Sequence, residues 1–121
     1  MKKLNILYWI TTGIFSAMML FSGIMYFVNP DMAQTFDHLG FPDYFRIELG
    51  IAKIAGVILL LIPTAKRLKE WVYAGFTINM ISAAIAHAST GDPFSAILTP
   101  IALFGVLAVS YVSRYKLNQV N

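Results

Sequence analysis

The sequence predicts an all-α integral membrane protein: an antiparallel four-helix bundle with a short amphipathic helix on its outer surface between the first two spans. Three observations predict it. First, the 121 residues are 58% hydrophobic and only 12% charged, against about 25% charged in soluble domains. Second, four apolar stretches, residues 4–28, 44–62, 68–88 and 94–112, come close to the roughly 20 residues that span a hydrocarbon core of about 30 Å. Third, bases and acids sort to opposite ends of these stretches. In lipid the backbone must satisfy its own hydrogen bonds, so such stretches are helices. No alternating ten-residue pattern suggests a barrel. The whole chain, residues 1–121, is expected to form one transmembrane domain.

The first stretch follows Lys2-Lys3. Its apolar run exceeds the 7–15 residues of a signal-peptide core, and no Ala-x-Ala site follows, so a retained helix is expected. Gly13, Ser16, Ala17 and Gly23 form a small-residue stripe along it. The segment "NPDMAQTFDHLGFPD" then places Asn29 as a cap, Pro30 at a first helical position and Gly40 at a terminus. A helix over 30–38 is expected there, and Pro42-Asp43 restarts the chain into the second span.

The second span opens with "RIELGIAK", residues 46–53. Three charges at the start of a lipid-soluble stretch need an explanation, because a charge inside a bilayer is expensive. Arg46 is expected to anchor at the headgroups, since long side chains snorkel to the interface. Glu48 shares a helical stripe with Ala52, Ala55 and Gly56, and small residues mark helix–helix contacts in membranes. Glu48 is therefore expected to turn inward. Lys53 lies five residues deeper, about 7.5 Å along the axis, and leans back toward the outer end, as helical side chains do.

The third span follows the turn "IPTAKRLKE", with Thr64 as its expected cap. Gly75, Asn79, Ser82, Ala86 and Ser89 share one stripe on it. The fourth follows "TGDPF", with Asp92 at the cap and Pro93 at the first helical position. Pro100 falls inside that helix, where a kink is expected. Thr99, Ala102 and Gly105 make a weaker stripe.

Lys2, Lys3, Lys66, Arg67, Lys69, Arg114 and Lys116 gather at the two termini and the second-to-third turn, whereas Asp31, Asp37, Asp43 and Asp92 lie in the other two loops. The positive-inside rule then places both termini in the cytoplasm. Trp9, Trp71, Tyr8, Tyr111 and Tyr115 read as an inner aromatic belt.

Antiparallel packing brings the outer end of the third span beside the start of the second. Glu48, Lys53, Asn79 and His87 are therefore expected to form one polar cluster in the outer half, with Tyr26 joining from the first span. This is a candidate ligand-binding site or a buried structural cluster. His38 reads as a solvated loop residue. Other chemistries find little support. The chain has no cysteine, which removes thiolate metal sites and disulfides. A bis-histidine haem needs two inward histidines, and a di-iron bundle needs Glu-x-x-His. Neither cofactor is expected, nor any metal. There is no nucleophile–base–orienter set and no patch for nucleic acid, so no catalytic residue is assigned and enzymatic activity stays open.

The segments "HLGFPDYFRIELGIAKIAGVILLLIP" and "RLKEWVYAGFTINMISAAIAHASTGDP" resemble the DoxX-like family of small four-helix bacterial membrane proteins. The shared features are a Leu-Gly-x-Pro turn before the second helix and a Lys ahead of a Gly and a leucine-rich run ending in Pro. A Lys-Glu-Trp-x-Tyr-Ala-Gly-Phe start to the third helix and an Ala-His near its end, followed by Gly-Asp, complete the set. Residues 38–93 carry it most clearly. The resemblance implies a bundle in the bacterial cytoplasmic membrane, multi-pass, with family links to quinol oxidation and thiosulfate:quinone oxidoreduction. Lys53, Glu48, Tyr73, His87 and Asp92 are the positions that carry over, without a transferable catalytic role. The leading expectation is a quinone- or lipid-binding accessory subunit of a membrane redox complex, with the bilayer and other membrane subunits or further copies as partners. A non-catalytic scaffold whose buried charges fix helix packing is one alternative. A small-solute or proton transporter is another.

Overall fold

The computed structural model describes residues 2–120, and all regular structure among them is helical. Five helices follow in order: α1 (Lys2–Val28), α2 (Pro30–His38), α3 (Asp43–Leu61), α4 (Lys66–Ser89) and α5 (Phe94–Val120). They match the expected stretches closely, except that α5 runs on past residue 112 through Arg114 and Lys116. The helix α1 packs extensively on α3 and α5, and α5 on α4. Contact between α3 and α4 is sparser, and α2 rests on α1 and α3.

The core is built from one face of each long helix. Phe15 and Met19 of α1, Val57 and Leu60 of α3, Tyr73, Phe76 and Met80 of α4, and Leu103 and Leu107 of α5 form one cluster. Their three- and four-residue spacings are those of a helix burying one stripe. Outside this core the surface is itself apolar, with Phe21, Ile78, Trp71 and Phe94 all exposed. By length and composition, α1 and α5 are able to cross a membrane. The charges of α3, and Asn79 and His87 within α4, hold those two helices below the same measure.

The buried stripe of α3 is Gly50, Lys53, Val57 and Leu60, not the expected face of Glu48, Ala52 and Ala55, which are exposed. Close approach decides this. A Cβ on Gly50 would meet the Phe27 ring at 2.8 Å and the Gly23 carbonyl oxygen at 3.3 Å, so α1 and α3 cross at Gly23 and Gly50. That crossing fixes the rotation of α3 and draws Lys53 inside. On α4 the buried face is Lys69, Tyr73, Phe76 and Met80. Gly75 and Ser82 of the expected stripe are exposed.

The helix ends explain the turns. Asn29 caps α2, its side-chain oxygen accepting from the Asp31 amide at 3.0 Å. At the other end Gly40 takes φ +87°, and the amides of Gly40 and Phe41 return to the carbonyls of Asp37 and Phe36. This is the Schellman pattern, reinforced by ring contact between Phe36 and Phe41. The helix α4 ends the same way: Gly91 has φ +75°, and the amides of Gly91 and Asp92 return to Ala88 and His87. Two expected caps are not used. Ala65 rather than Thr64 precedes α4, and the Thr64 hydroxyl is buried without a hydrogen-bond partner among the described residues. Asp92 binds histidines instead of capping α5.

Two cations serve helix C-termini, where carbonyls lack partners and the dipole favours positive charge. Lys69 Nζ donates to the Leu60 carbonyl at 2.9 Å, near the end of α3. Arg46 Nη1 donates to the Tyr26 carbonyl near the end of α1. Arg46 is therefore half-buried on α1 rather than held free at a headgroup.

Candidate functional site

Lys53 is central to the half of the molecule that carries α2 and the α4–α5 turn, named the outer half after its expected orientation. It is only 5% exposed. Its ammonium donates to Ser22 Oγ at 3.0 Å and to Tyr26 OH at 2.7 Å, and lies 4.4 Å from the centre of the Tyr26 ring. Hydroxyls and an aromatic face are weak compensation for a buried charge. Among the described residues no carboxylate lies within ion-pair distance of it. An ammonium has three donors, so one remains after Ser22 and Tyr26.

Beside Lys53 lies a cavity of about 500 Å³, within the range of about 300–1,000 Å³ common for small-molecule sites. Its lining is mostly apolar, with few polar groups. Tyr26, Lys53, Asn79 and His87 all contribute to its wall, so four of the five residues expected to cluster share one space. Glu48 does not; it is exposed on the opposite side of α3's buried stripe. The roof comes from α2, through Met32, Thr35 and Phe36, with Phe36 set edge-on against Tyr26. Pro100 of α5 lies on the wall together with Ala96, the residue whose carbonyl Pro100 cannot serve. Asn79 has no hydrogen-bond partner among the described residues, so its amide is available to an occupant.

His87 is held by a carboxylate. Its Nδ1 lies 2.7 Å from Asp92 Oδ2, while His38 Nε2 lies 2.7 Å from Asp92 Oδ1. The Schellman turn at Gly91 folds Asp92 back over the last turn of α4, which brings the side chains together. Hydrogen bonds from His87 and then His38 hold the Asp92 carboxyl down at about 2, well below the usual carboxylate range. A carboxylate only accepts, so the facing ring nitrogens carry protons. In neutral His87 the other nitrogen, Nε2, is then an acceptor toward a ligand. It becomes a donor only in the imidazolium form.

The sequence reading missed three features here. Ser22 lies outside the small-residue stripe of Gly13, Ser16, Ala17 and Gly23 and carries no signal in the sequence. His38, read as solvated, reaches Asp92 from 54 positions away, a distance with no local signal. The His87–Asp92 pair was within reach, because Gly-Asp after a helix end suggests a left-handed turn returning the chain. No cluster of three or more metal-ligating side chains occurs among the described residues.

A second cavity, of about 420 Å³, opens between α3 and α4. Ala52, Ala55 and Gly56 face Gly75 and Ser82 across it, with Trp71 at the other end. The small-residue stripes expected to close two helices together instead flank a groove. Lys53, Asn79, Phe45, Leu49 and Ser82 belong to the walls of both cavities.

Residues 10–110 match the family model described as the DoxX-like family, a stretch that contains every cavity residue named above. No curated protein and no solved structure matches the chain.

Proposed function

The chain belongs to the DoxX-like family, and from that premise we propose that it is a four-span membrane protein that holds an amphiphile, a quinone or a lipid, in its outer-half cavity. It acts as an accessory subunit of a membrane redox complex in the bacterial cytoplasmic membrane, with both termini cytoplasmic. The observation that carries the binding role is the shared cavity: Lys53, Tyr26, Asn79 and His87 line one largely apolar space of about 500 Å³. The apolar exterior and the two long apolar helices support placement in the bilayer. Lys53 supplies a donor to an oxygen of the head group. Neutral His87 accepts from a hydroxyl, as a reduced quinone would offer, and Asn79 does either. The test is extraction of quinones and lipids from gently purified protein. Wild type is expected to retain an amphiphile that a Lys53→Ala, His87→Ala double variant loses. Equal retention by both rejects these residues as the site.

One observation favours a second reading. Lys53 ties α3 to α1 through Ser22 and Tyr26, which suits a charge kept to fix helix packing. In that case Lys53→Ala lowers the melting temperature in detergent while ligand content has no bearing on complementation.

A further inference from the structure

Lys53 stands where the two cavities meet, and they differ in kind. The outer-half cavity carries the polar groups, whereas the α3–α4 groove runs from Lys53 and Asn79 past Gly56 and Gly75 to Leu59 and Trp71, almost wholly apolar. We propose that the groove is a lateral portal for an anionic phospholipid of the surrounding bilayer, with its acidic head on Lys53 and one acyl chain between α3 and α4. This rests on the proposed binding role of the cavity and narrows it to one class of amphiphile.

Three observations carry it. The buried Lys53 ammonium has one donor left and, among the described residues, no carboxylate in range, so an anionic head would complete it. A neutral head leaves the charge uncompensated in a low-dielectric interior. The groove is continuous with the cavity through Lys53 and Asn79, so a chain attached to a head at Lys53 has a path along it. The depth also fits. Lys53 Nζ reaches the level of Ser22 and Tyr26, within the last two turns of α1. From Ala52 to Leu59 the groove descends about 10 Å at 1.5 Å per residue, so an outer-leaflet lipid has its head above and its chain below. At Gly75 the groove is open, since a Cβ there meets nothing within 4 Å, whereas Gly56 packs on the Phe76 ring and forms the groove's floor.

Trp71 lines the groove's far end, and the only other tryptophan is Trp9. A Trp9→Phe protein therefore reports on the groove. It would be reconstituted in phosphatidylcholine vesicles, with brominated-chain phosphatidylglycerol or phosphatidylcholine added at equal fractions. The anionic lipid is expected to quench Trp71 with about fivefold higher apparent affinity, the scale of one lysine against an acidic lipid. Lys53→Met should erase the preference and Lys53→Arg preserve it. A preference that survives Lys53→Met reflects the basic rim at Lys66 and Arg67 and overturns the proposal. So does equal quenching by the two lipids. If Lys53→Met does not fold, Gly75→Leu decides: it fills the groove with Lys53 intact and should also abolish the preference, and an unchanged preference overturns the proposal. Solvent extraction separates the two levels. Retained neutral quinone without acidic lipid removes the portal lipid and leaves the binding role standing, whereas no retained amphiphile removes both.

Discussion

Replacing Ser110 by alanine should loosen the inner half of the molecule by an amount that the structure bounds. Ser110 Oγ is fully buried, 2.6 Å from Thr12 Oγ1 and 2.7 Å from Tyr73 OH. One hydroxyl thus joins α1, α4 and α5. Its removal strips a partner from two buried hydroxyls, and leaving such a group unsatisfied costs about 1–3 kcal/mol. Two effects reduce this. Thr12 has a fallback, because a helical threonine bonds the carbonyl one turn back. Interhelical hydrogen bonds in membrane proteins also average only about 0.6 kcal/mol and reach about 1.7, since the unfolded chain in lipid finds other partners. With Tyr73 3% exposed, the expected loss lies at the upper end of that range, about 1–2 kcal/mol. Reversible unfolding in mixed micelles would measure it, in a double-mutant cycle with Tyr73→Phe. The two changes should be coupled by about 0.5–1.5 kcal/mol, as for residues sharing one network. A Ser110→Ala protein within about 0.3 kcal/mol of wild type, or strict additivity, would refute the assignment of Ser110 as the tie between these helices.

Glycines should behave oppositely by position. Gly56→Ala drives a Cβ to 2.7 Å from the buried Phe76 ring and should cost about 1–3 kcal/mol by overpacking; Gly13→Ala meets nothing and should gain about 0.5–1 kcal/mol from helix propensity. Asn29→Ala removes the cap bond to Asp31 and should weaken α2 by about 1 kcal/mol, visible as faster amide exchange at Asp31 and Met32. The His38–Asp92–His87 link should fail in acid. The Asp92 carboxyl is depressed from 3.8 to about 2, so its stabilising contribution is complete above pH 3.8 and fades as pH falls toward 2. Proteolysis within α2 should rise over that window in wild type, and Asp92→Asn should be cleaved readily at neutral pH and lose the dependence; a wild-type profile in Asp92→Asn would show that the link does not hold α2.

Hydrophobic length, proline and glycine placement and cap chemistry were enough to locate every helix, because each acts within a few residues. The helix over 30–38 was legible from Asn29, Pro30 and Gly40 alone. Rotation about the helix axis was not. It is set where Gly23 meets Gly50, a contact between residues 27 positions apart, and small residues on several faces gave competing stripes. Glu48 was therefore turned inward on paper while the structure turns Gly50 and Lys53 inward. Lys53 still lines the same cavity as Tyr26, Asn79 and His87, because a long lysine leaning toward the end of α1 reaches that level from either face. Thr64 and Asp92 failed as caps because the preferred residue type was present but other geometry applied. Asp92 gained two histidine donors in exchange for a backbone amide.

The polar groups of the inner and outer halves are treated differently, and this separates what holds the molecule together from what it offers to a partner. In the inner half, Ser110 joins Thr12 and Tyr73, Lys69 closes the end of α3, and Arg114 meets Glu70 at 3.3 Å. Each of these groups has a protein partner, and the cavity of about 410 Å³ that opens beside Tyr73 and Leu107 between α4 and α5 carries no unpaired charge among the described residues. In the outer half, α2 rests on α1 and α3 alone, and among the described residues Asn79 has no hydrogen-bond partner and Lys53 no carboxylate in range. Because the helices are fastened at the inner end, the outer end tolerates a gap that would otherwise cost stability, and local looseness of this sort is where ligand-binding segments are found. Substitutions should sort accordingly. Changes at Ser110 or Lys69 should move the unfolding midpoint and leave bound amphiphile per folded molecule unchanged. Asn79→Leu, which keeps a similar volume at a half-buried position, should leave the midpoint nearly unchanged and reduce what the cavity retains. Loss of bound amphiphile with Ser110→Ala at an unchanged folded fraction would show that the two halves are coupled rather than separate.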